Sequence, residues 1–553
     1  ALTEVRPFET WEGRNPAERL VQFYLQRLPL GMAWYGGLTY LDTLNPEAVR
    51  AFLGSTHEVY RAAFGEDFGG LIPGVFTDEP SLFIPFFEEA ETRRWRLPWT
   101  DGFAEHFAAE NGYDLFPHLP ALFFDLEDCE RVRYAYWRTV SRRFLTSYTF
   151  QVADWCEARG LKLTGHLLSE DTLAGQIGSS GAAMPHYAAM QQPGVDKLGR
   201  GHGGAGSLLA FKQLDSIVCQ TGKERALCEI YGCAGQAFAH AGRKWLADWA
   251  LCLGVTALNP HLAAYSLRGP RKRDYPPALS FQQPWWPENK LVADYAARLS
   301  YALSQGRRVA DILVVHPLGS AWCLYRPDPH PELQALDEAL DALLHGLMRV
   351  QRDFHLYDEA LLGEGVTLGE VARDGEGVKL RVGEMAYRAV VVPPSLTLTR
   401  RTTELLRAFA ASGGAVLALE PLPTRLDGQR VEGSVLPSET MTATLETLPR
   451  LLDERLPYRA RIPEEPGIWV HQRLLDDGRE LYFIANTELE PREAVTVQLR
   501  GGGGLERWNA ETGEATPLPS VERGNITELR LDFAPAESHL LVRHPEEPPF
   551  RSK

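Results

Sequence analysis

Six short apolar runs, at residues 31–35, 71–76, 161–167, 215–219, 226–231 and 254–260, alternate with longer segments of helical period. That alternation confines the chain to a parallel α/β architecture, because parallel strands need helical crossovers between them. Periodicity alone leaves the sheet either open or closed as an eight-stranded barrel. Residues 46–64 place Val49, Phe52, Leu53, Val59, Tyr60 and Phe64 at helical spacing, with Asn45 as the N-cap before Pro46. Residues 130–159 read as one long helix, in which Val132, Tyr136, Val140, Phe144, Tyr148 and Val152 recur every four residues. Residues 244–253 form another, ending at Gly254.

A second α/β unit is expected from residue 307. Strands at 309–316, 387–394 and 415–420 alternate with helices at 332–354 and 402–412, which is doubly wound grammar without a GxGxxG turn. From about residue 458 short strands with turn chemistry follow, including Asp476-Asp477-Gly478. The expected division is 1–306, then 307–425, then a β-rich 426–553. A whole middle unit without a ligand motif points to a homo-oligomer.

Composition excludes several partners. Hydrophobic residues make up 44% and charged residues 24%, the balance of a globular protein. The net charge of −16 repels nucleic acid and anionic membrane surfaces. No apolar run is long enough for a membrane span. The seven cysteines are odd in number and form no CxxC pair, so free thiols in a reducing, cytoplasmic setting are expected and no metal spacing is present.

The chemistry gathers at strand ends. The run at 71–76 leads into Thr77-Asp78-Glu79-Pro80, and the run at 226–231 carries Glu229 just before Tyr231-Gly232. In a parallel α/β barrel a carboxylate at a strand's C-terminal end projects into the catalytic face. A Glu among apolar and small neighbours needs a partner or a function. Two such carboxylates are what glycoside hydrolysis requires, one protonated and one ionised. Glu79 is expected in the drier environment, and Glu229 ionised under hydrogen bonds from Tyr or Arg donors. His166 lies at the end of the run at 161–167 and Glu170 follows it, while Asn259 and His261 come at the end of a fourth strand. Trp34, Tyr35 and Trp285 offer aromatic faces for stacking on sugar rings, and Asp78 and Tyr231 flank the two Glu.

At these motifs the sequence resembles a known group. Residues 41–47, Leu-Asp-Thr-Leu-Asn-Pro-Glu, then 74–80, then Glu229-Ile230-Tyr231-Gly232, then 271–277 resemble bacterial relatives of the α-L-rhamnosidases of glycoside hydrolase family 106. The resemblance implies a catalytic (β/α)8 TIM-type barrel, a doubly wound domain and a β-rich domain. That order is similar to the family 42 β-galactosidases, whose middle domain builds a trimer. Carried over from the broader clan, Glu79 is the acid/base at the end of strand four and Glu229 the nucleophile or base at the end of strand seven. The clan's usual Asn is Asp78 here. Family 106 itself inverts, and the resemblance implies calcium near the site, whereas the residues alone call for no cofactor. If Glu79 ends strand four, only 31–35 precedes it as a strand, so a barrel lacking N-terminal strands is expected, completed by a preceding piece or another chain.

The expected activity is removal of a terminal sugar from an oligosaccharide or glycoside. The rival is a non-catalytic carbohydrate-binding or scaffold protein with a degenerate barrel. An amidase in the second unit is disfavoured, since neither 390–394 nor 415–420 leads into a Ser or Cys elbow.

Overall fold

A computed structural model describes residues 21–28, 30–31, 35–82, 96–201, 207–327, 330–361, 369–375 and 377–546. The N-terminal part is α/β. Its five parallel strands are β1 (Gly74–Asp78), β2 (Lys162–His166), β3 (Gln192–Lys197), β4 (Leu227–Ile230) and β5 (Ala257–Pro260), paired in the order β1-β2-β3-β4-β5. Neighbours in space are thus neighbours in sequence, with helices between them. This is a half-barrel in the sense of the (β/α)8 fold, with strands β1 and β5 at its edges among the described residues. Tight pairing of β1 and β2 depends on one glycine. Gly165 has φ 126°, and a Cβ there would come within 1.9 Å of the Thr77 carbonyl oxygen.

One of the six apolar runs is not a strand, and another lies largely outside the described residues. Residues 215–219 lie inside the helix Ser207–Gln220, where Asp215 is held by Lys212 one turn earlier. A short run rich in β-branched residues does not separate a strand from a buried helix turn. The strand in that place is β3, whose Pro193 and Gly194 hid it. Residues 32–34, and with them Trp34, lie outside the described residues, and the chain at 35–38 is a turn closed by the Leu38 amide donating to the Tyr35 carbonyl at 3.1 Å.

The helices follow the spacing with two interruptions. Asn45 caps Pro46–Ser55, its Oδ1 accepting from the Glu47 amide at 3.0 Å. The expected single helix over 46–64 breaks at Thr56 (φ −120°, ψ −69°) before resuming as His57–Phe64. The expected helix over 130–159 runs as α-helix at Cys129–Phe144, π-helix at Leu145–Thr149 and α-helix again at Phe150–Glu157.

Five parallel strands then form a second sheet in the order Met441–Ala443, Ala415–Leu419, Ala389–Val392, Ile312–Val315, Phe354–Tyr357. This is doubly wound, and its last strand lies beyond residue 425, inside the segment expected to be the β-rich unit. Two antiparallel sheets close the chain, of four and six strands. Their inner faces enclose a separate apolar cluster that includes Ile468, Tyr482, Val497 and Phe533. The six-stranded sheet also takes in Arg307–Arg308, which pairs with Ile468–Leu474. The segment entering the second unit is therefore stitched to the C-terminal sheet.

Candidate active site

The C-terminal ends of β1 to β4 bring together Asp78, Glu79, His166, Asp196 and Glu229. Ladder register explains why: Asp78 pairs with His166 and Asp196 with Glu229, so each pair emerges at one level of the sheet. His166 is the hub and is 1% exposed. Its Nε2 donates to Glu229 Oε2 at 3.0 Å and lies 3.4 Å from Asp78 Oδ1. Its Nδ1 donates to the Leu167 carbonyl at 3.2 Å. A ring with a carbonyl on one nitrogen and a carboxylate on the other carries both protons. Burial alone lowers its pKa, but the Glu229 hydrogen bond and the charges of Glu170, Asp196 and Glu229 outweigh that and push it up to about 9.

The imidazolium sorts the carboxylates. Burial disfavours the ionised form of Glu229, yet the hydrogen bond and charge of His166, with the charge of His261, bring its pKa below the ordinary value. His261 Nε2 lies 3.8 Å from Glu229 Oε1. Among the described residues the groups that face Glu229 are thus histidines, with His166 the donor, and not the Tyr or Arg expected from sequence. Glu79 goes the other way: burial raises its pKa, His166 opposes this, and Asp78 and Glu229 add to the rise. Oxygens of Glu79 and Asp196 and a nitrogen of His166 all lie within 4.8 Å of one another. Glu79 also sits at φ 49°, a left-handed conformation costly for a residue with a Cβ and concentrated at functional sites.

Asp196 was not found from the sequence. Its carboxyl is pushed up to about 7, chiefly by burial, and its Oδ1 is buried without a hydrogen-bond partner among the described residues. The signal, an Asp just after Val195 and 33 residues before Glu229, was obscured by Pro193 and Gly194.

Other expected residues stand further back. Glu170 is buried, accepts from the Tyr187 hydroxyl at 3.0 Å and is pushed up to about 8, mainly by burial. Tyr231 is buried at φ 81°, its hydroxyl donating to the Arg243 carbonyl at 3.0 Å, so that group is already used. Asn259 is exposed and paired in register with Glu229. Tyr35 packs its ring against Tyr40, centroids 5.2 Å apart. Trp285 is half-buried just before the short turn of helix Trp286–Glu288.

The profile of the α-L-rhamnosidase family, glycoside hydrolase 106, matches residues 36–321, just over half of the 553 residues. The chain belongs to family 106. The match covers all five strands of the half-barrel and the candidate site. The chain is 26% identical over 442 residues to a candidate β-glucuronidase of Formosa agariphila, across 75% of this chain and 34% of that protein. In fold it is similar to the rhamnosidase of Novosphingobium sp. PP1Y, with a TM-score of 0.68, 19% identity, and coverage of 93% of this chain and 49% of that one. It is also similar to a family 42 exo-carrageenase of Bacteroides ovatus, with a TM-score of 0.55, 11% identity, and coverage of 81% and 63%. The chain therefore spans about a third of the curated relative and half of the rhamnosidase. Among the described residues no helix is long and apolar enough to cross a membrane.

The site makes the stability of this family 106 chain depend on pH in a definite direction. His166 and Glu170 keep protons to about 9 and about 8, against roughly 6.5 and 4.3 in an unfolded chain. The folded state thus binds more protons than the unfolded state across neutral pH. Stability from these groups is present at low pH and is lost as pH rises through their folded values. The melting temperature should fall between about pH 6.5 and 9, and less steeply in Glu170→Gln. An equal slope in that variant would remove Glu170 from the account.

Proposed function

We propose that this chain is a glycosidase that removes a terminal sugar, with an α-L-rhamnoside the first substrate to test. Family membership supports the class, and one observation carries the mechanism. Glu79 and Glu229 sit beside the same protonated histidine yet are driven in opposite directions, Glu79 toward its acid and Glu229 toward its carboxylate. Pairs of titratable groups pushed apart in this way are the mark of an acid and its partner base. Glu79 then protonates the leaving oxygen, while Glu229 attacks the anomeric carbon or activates water. His166 holds Glu229 ionised and aimed.

The acidic surroundings argue against a uronic acid as the sugar. Asp78, Glu79, Asp196 and Glu229 cluster around one imidazolium, so a substrate carboxylate would meet uncompensated like charge. The same donors fit the calcium ion that the family resemblance implies. Calcium takes oxygen ligands, and Asp196 Oδ1 is a buried oxygen without a partner among the described residues. Asp196 would help to hold such an ion, which when bound would supply positive charge for sugar hydroxyls. The remaining expectations, assembly into a homo-oligomer through the doubly wound sheet and a cytoplasmic setting, belong to this proposal too.

The test is a panel of nitrophenyl glycosides that includes the α-L-rhamnoside and the β-D-glucuronide. Glu79→Ala should lose about 10²-fold or more in kcat on poor leaving groups and far less on dinitrophenolate, which needs little protonation. Equal losses on both would unseat Glu79 as the acid. No turnover of any glycoside by the wild type would favour a binding protein with a degenerate barrel.

A further inference from the structure

The loop that carries Glu79 is pinned on both sides. On one side the Thr77 Oγ1 and the Tyr148 hydroxyl share a hydrogen bond of 2.9 Å, buried in the core. On the other, the Ser81 amide donates to the Tyr40 hydroxyl at 3.0 Å, the Thr43 hydroxyl donates to the Ser81 carbonyl at 3.0 Å, and the Leu82 amide donates to the Ser179 carbonyl at 2.7 Å. Between these anchors Glu79 holds its left-handed φ of 49°. A strained backbone persists only where its surroundings over-determine it.

The π-helix explains how Tyr148 reaches this place. On an α-helix a residue every four positions drifts round the axis by about 40° per step. Val132, Tyr136, Val140, Phe144, Tyr148 and Val152 recur at that interval, yet all six are buried. A π-turn adds one residue to the turn and resets the drift. It spans Leu145–Thr149, so the reset falls at Tyr148 itself. Such turns cost hydrogen-bond geometry and gather at functional sites. Phe could fill the same space; what the hydroxyl adds is the link to Thr77, two residues before Glu79.

We infer that Tyr148, presented by this π-turn, is a positioning residue for the Glu79 carboxyl, acting through Thr77. The inference rests on Glu79 being the acid of the proposed function. Losing the hydroxyl frees β1's end from the core, and a carboxyl displaced by a fraction of an ångström protonates the leaving oxygen less well.

The experiment uses aryl glycosides of the sugar that the wild type turns over, from phenyl to 2,4-dinitrophenyl, with Tyr148→Phe, Thr77→Val and the double variant. Tyr148→Phe should lose about 10-fold in kcat on the phenyl glycoside and less than about 2-fold on the dinitrophenyl one, with KM unchanged on both. The double variant removes both hydroxyls, so no buried group is left unpaired and its melting temperature should recover. Its kcat on the phenyl glycoside should stay as low as that of Tyr148→Phe, because the link is still missing. Recovery of kcat along with the melting temperature would make Tyr148 merely structural and overturn the inference. So would an equal loss on both leaving groups. Tyr40→Phe cuts the opposite anchor and gives the same split if Tyr148→Phe does not fold. If Glu79→Ala itself lacks the leaving-group signature, the acid assignment falls instead. If Glu79→Ala has it and neither Phe variant does, only the positioning role falls.

Discussion

Replacing Glu229 by alanine should lower kcat by about 10³-fold or more on every leaving group, good or poor. The reason is its place at the meeting point of the site's positive charge. It is the carboxylate that His166 holds by a direct hydrogen bond and that His261 faces from the other side. The task proposed for it, attack or activation of water, does not ease as the leaving group improves, so the dinitrophenyl glycoside should gain no exemption. That uniformity distinguishes it from Glu79. Azide should restore turnover of Glu229→Ala as a glycosyl azide if Glu229 is a nucleophile, since the small anion fits the vacated space. Nuclear magnetic resonance of the first sugar released by the wild type decides retention against inversion independently. Turnover near wild type in Glu229→Ala would move the search to Glu170, which is buried behind His166 and kept protonated to about 8.

The sequence was most legible where one residue's environment decides its chemistry. Glu229 stood out because its apolar and small neighbours leave its burial unexplained, and Glu79 because an apolar run leads straight into Asp78 and Glu79; in the fold both lie beside His166. It was least legible where tertiary contacts override local pattern. Residues 215–219 have strand composition, but the neighbours of Asp215 include Lys212 in its own helix and Arg308, 93 residues further on. Treating that run as a strand put Glu229 on the third strand after β1, the right count reached through the wrong member, because β3 was hidden by its Pro and Gly. The missed Asp196 followed from that error. The histidine partners of Glu229 were missed for a different reason: partners across a parallel sheet depend on register, and register between distant strands is not written in either strand. The four-residue repeat through Tyr148 was visible, but the π-turn it demands was not recognised. The boundary expected at 425 missed the strand Met441–Ala443, which is too short to announce itself and is fixed by pairing with Ala415–Leu419.

The largest stability effect should come from Arg308, far from the chemistry. Its guanidinium is fully enclosed, donating to Asp353 Oδ2 at 2.9 and 2.7 Å, to the Cys252 carbonyl at 3.1 Å and to His471 Nδ1 at 2.7 Å. Asp215 Oδ2 lies 3.4 Å away, and Lys212 Nζ bridges both carboxylates at 2.7 and 2.9 Å. Two cations thus balance two anions, so the cluster is neutral as a whole and intolerant of losing any member. It also joins all three parts of the fold. Asp215 and Lys212 come from a half-barrel helix, Asp353 precedes a strand of the doubly wound sheet, and His471 belongs to the C-terminal sheet. Arg308→Ala leaves a net negative charge buried among them and should cost about 3–5 kcal/mol, the usual consequence of removing one partner from a buried ionic cluster. Arg308→Lys keeps the charge but not the planar fork that serves three acceptors at once, so it should fall between alanine and the wild type. In a chain of several units the loss need not appear as a simple shift. If Arg308 couples the units, a denaturant transition that is single in the wild type should separate into two in Arg308→Ala, as the C-terminal sheets and the half-barrel unfold apart. A single transition at the wild-type midpoint would mean that apolar packing alone holds the three parts together.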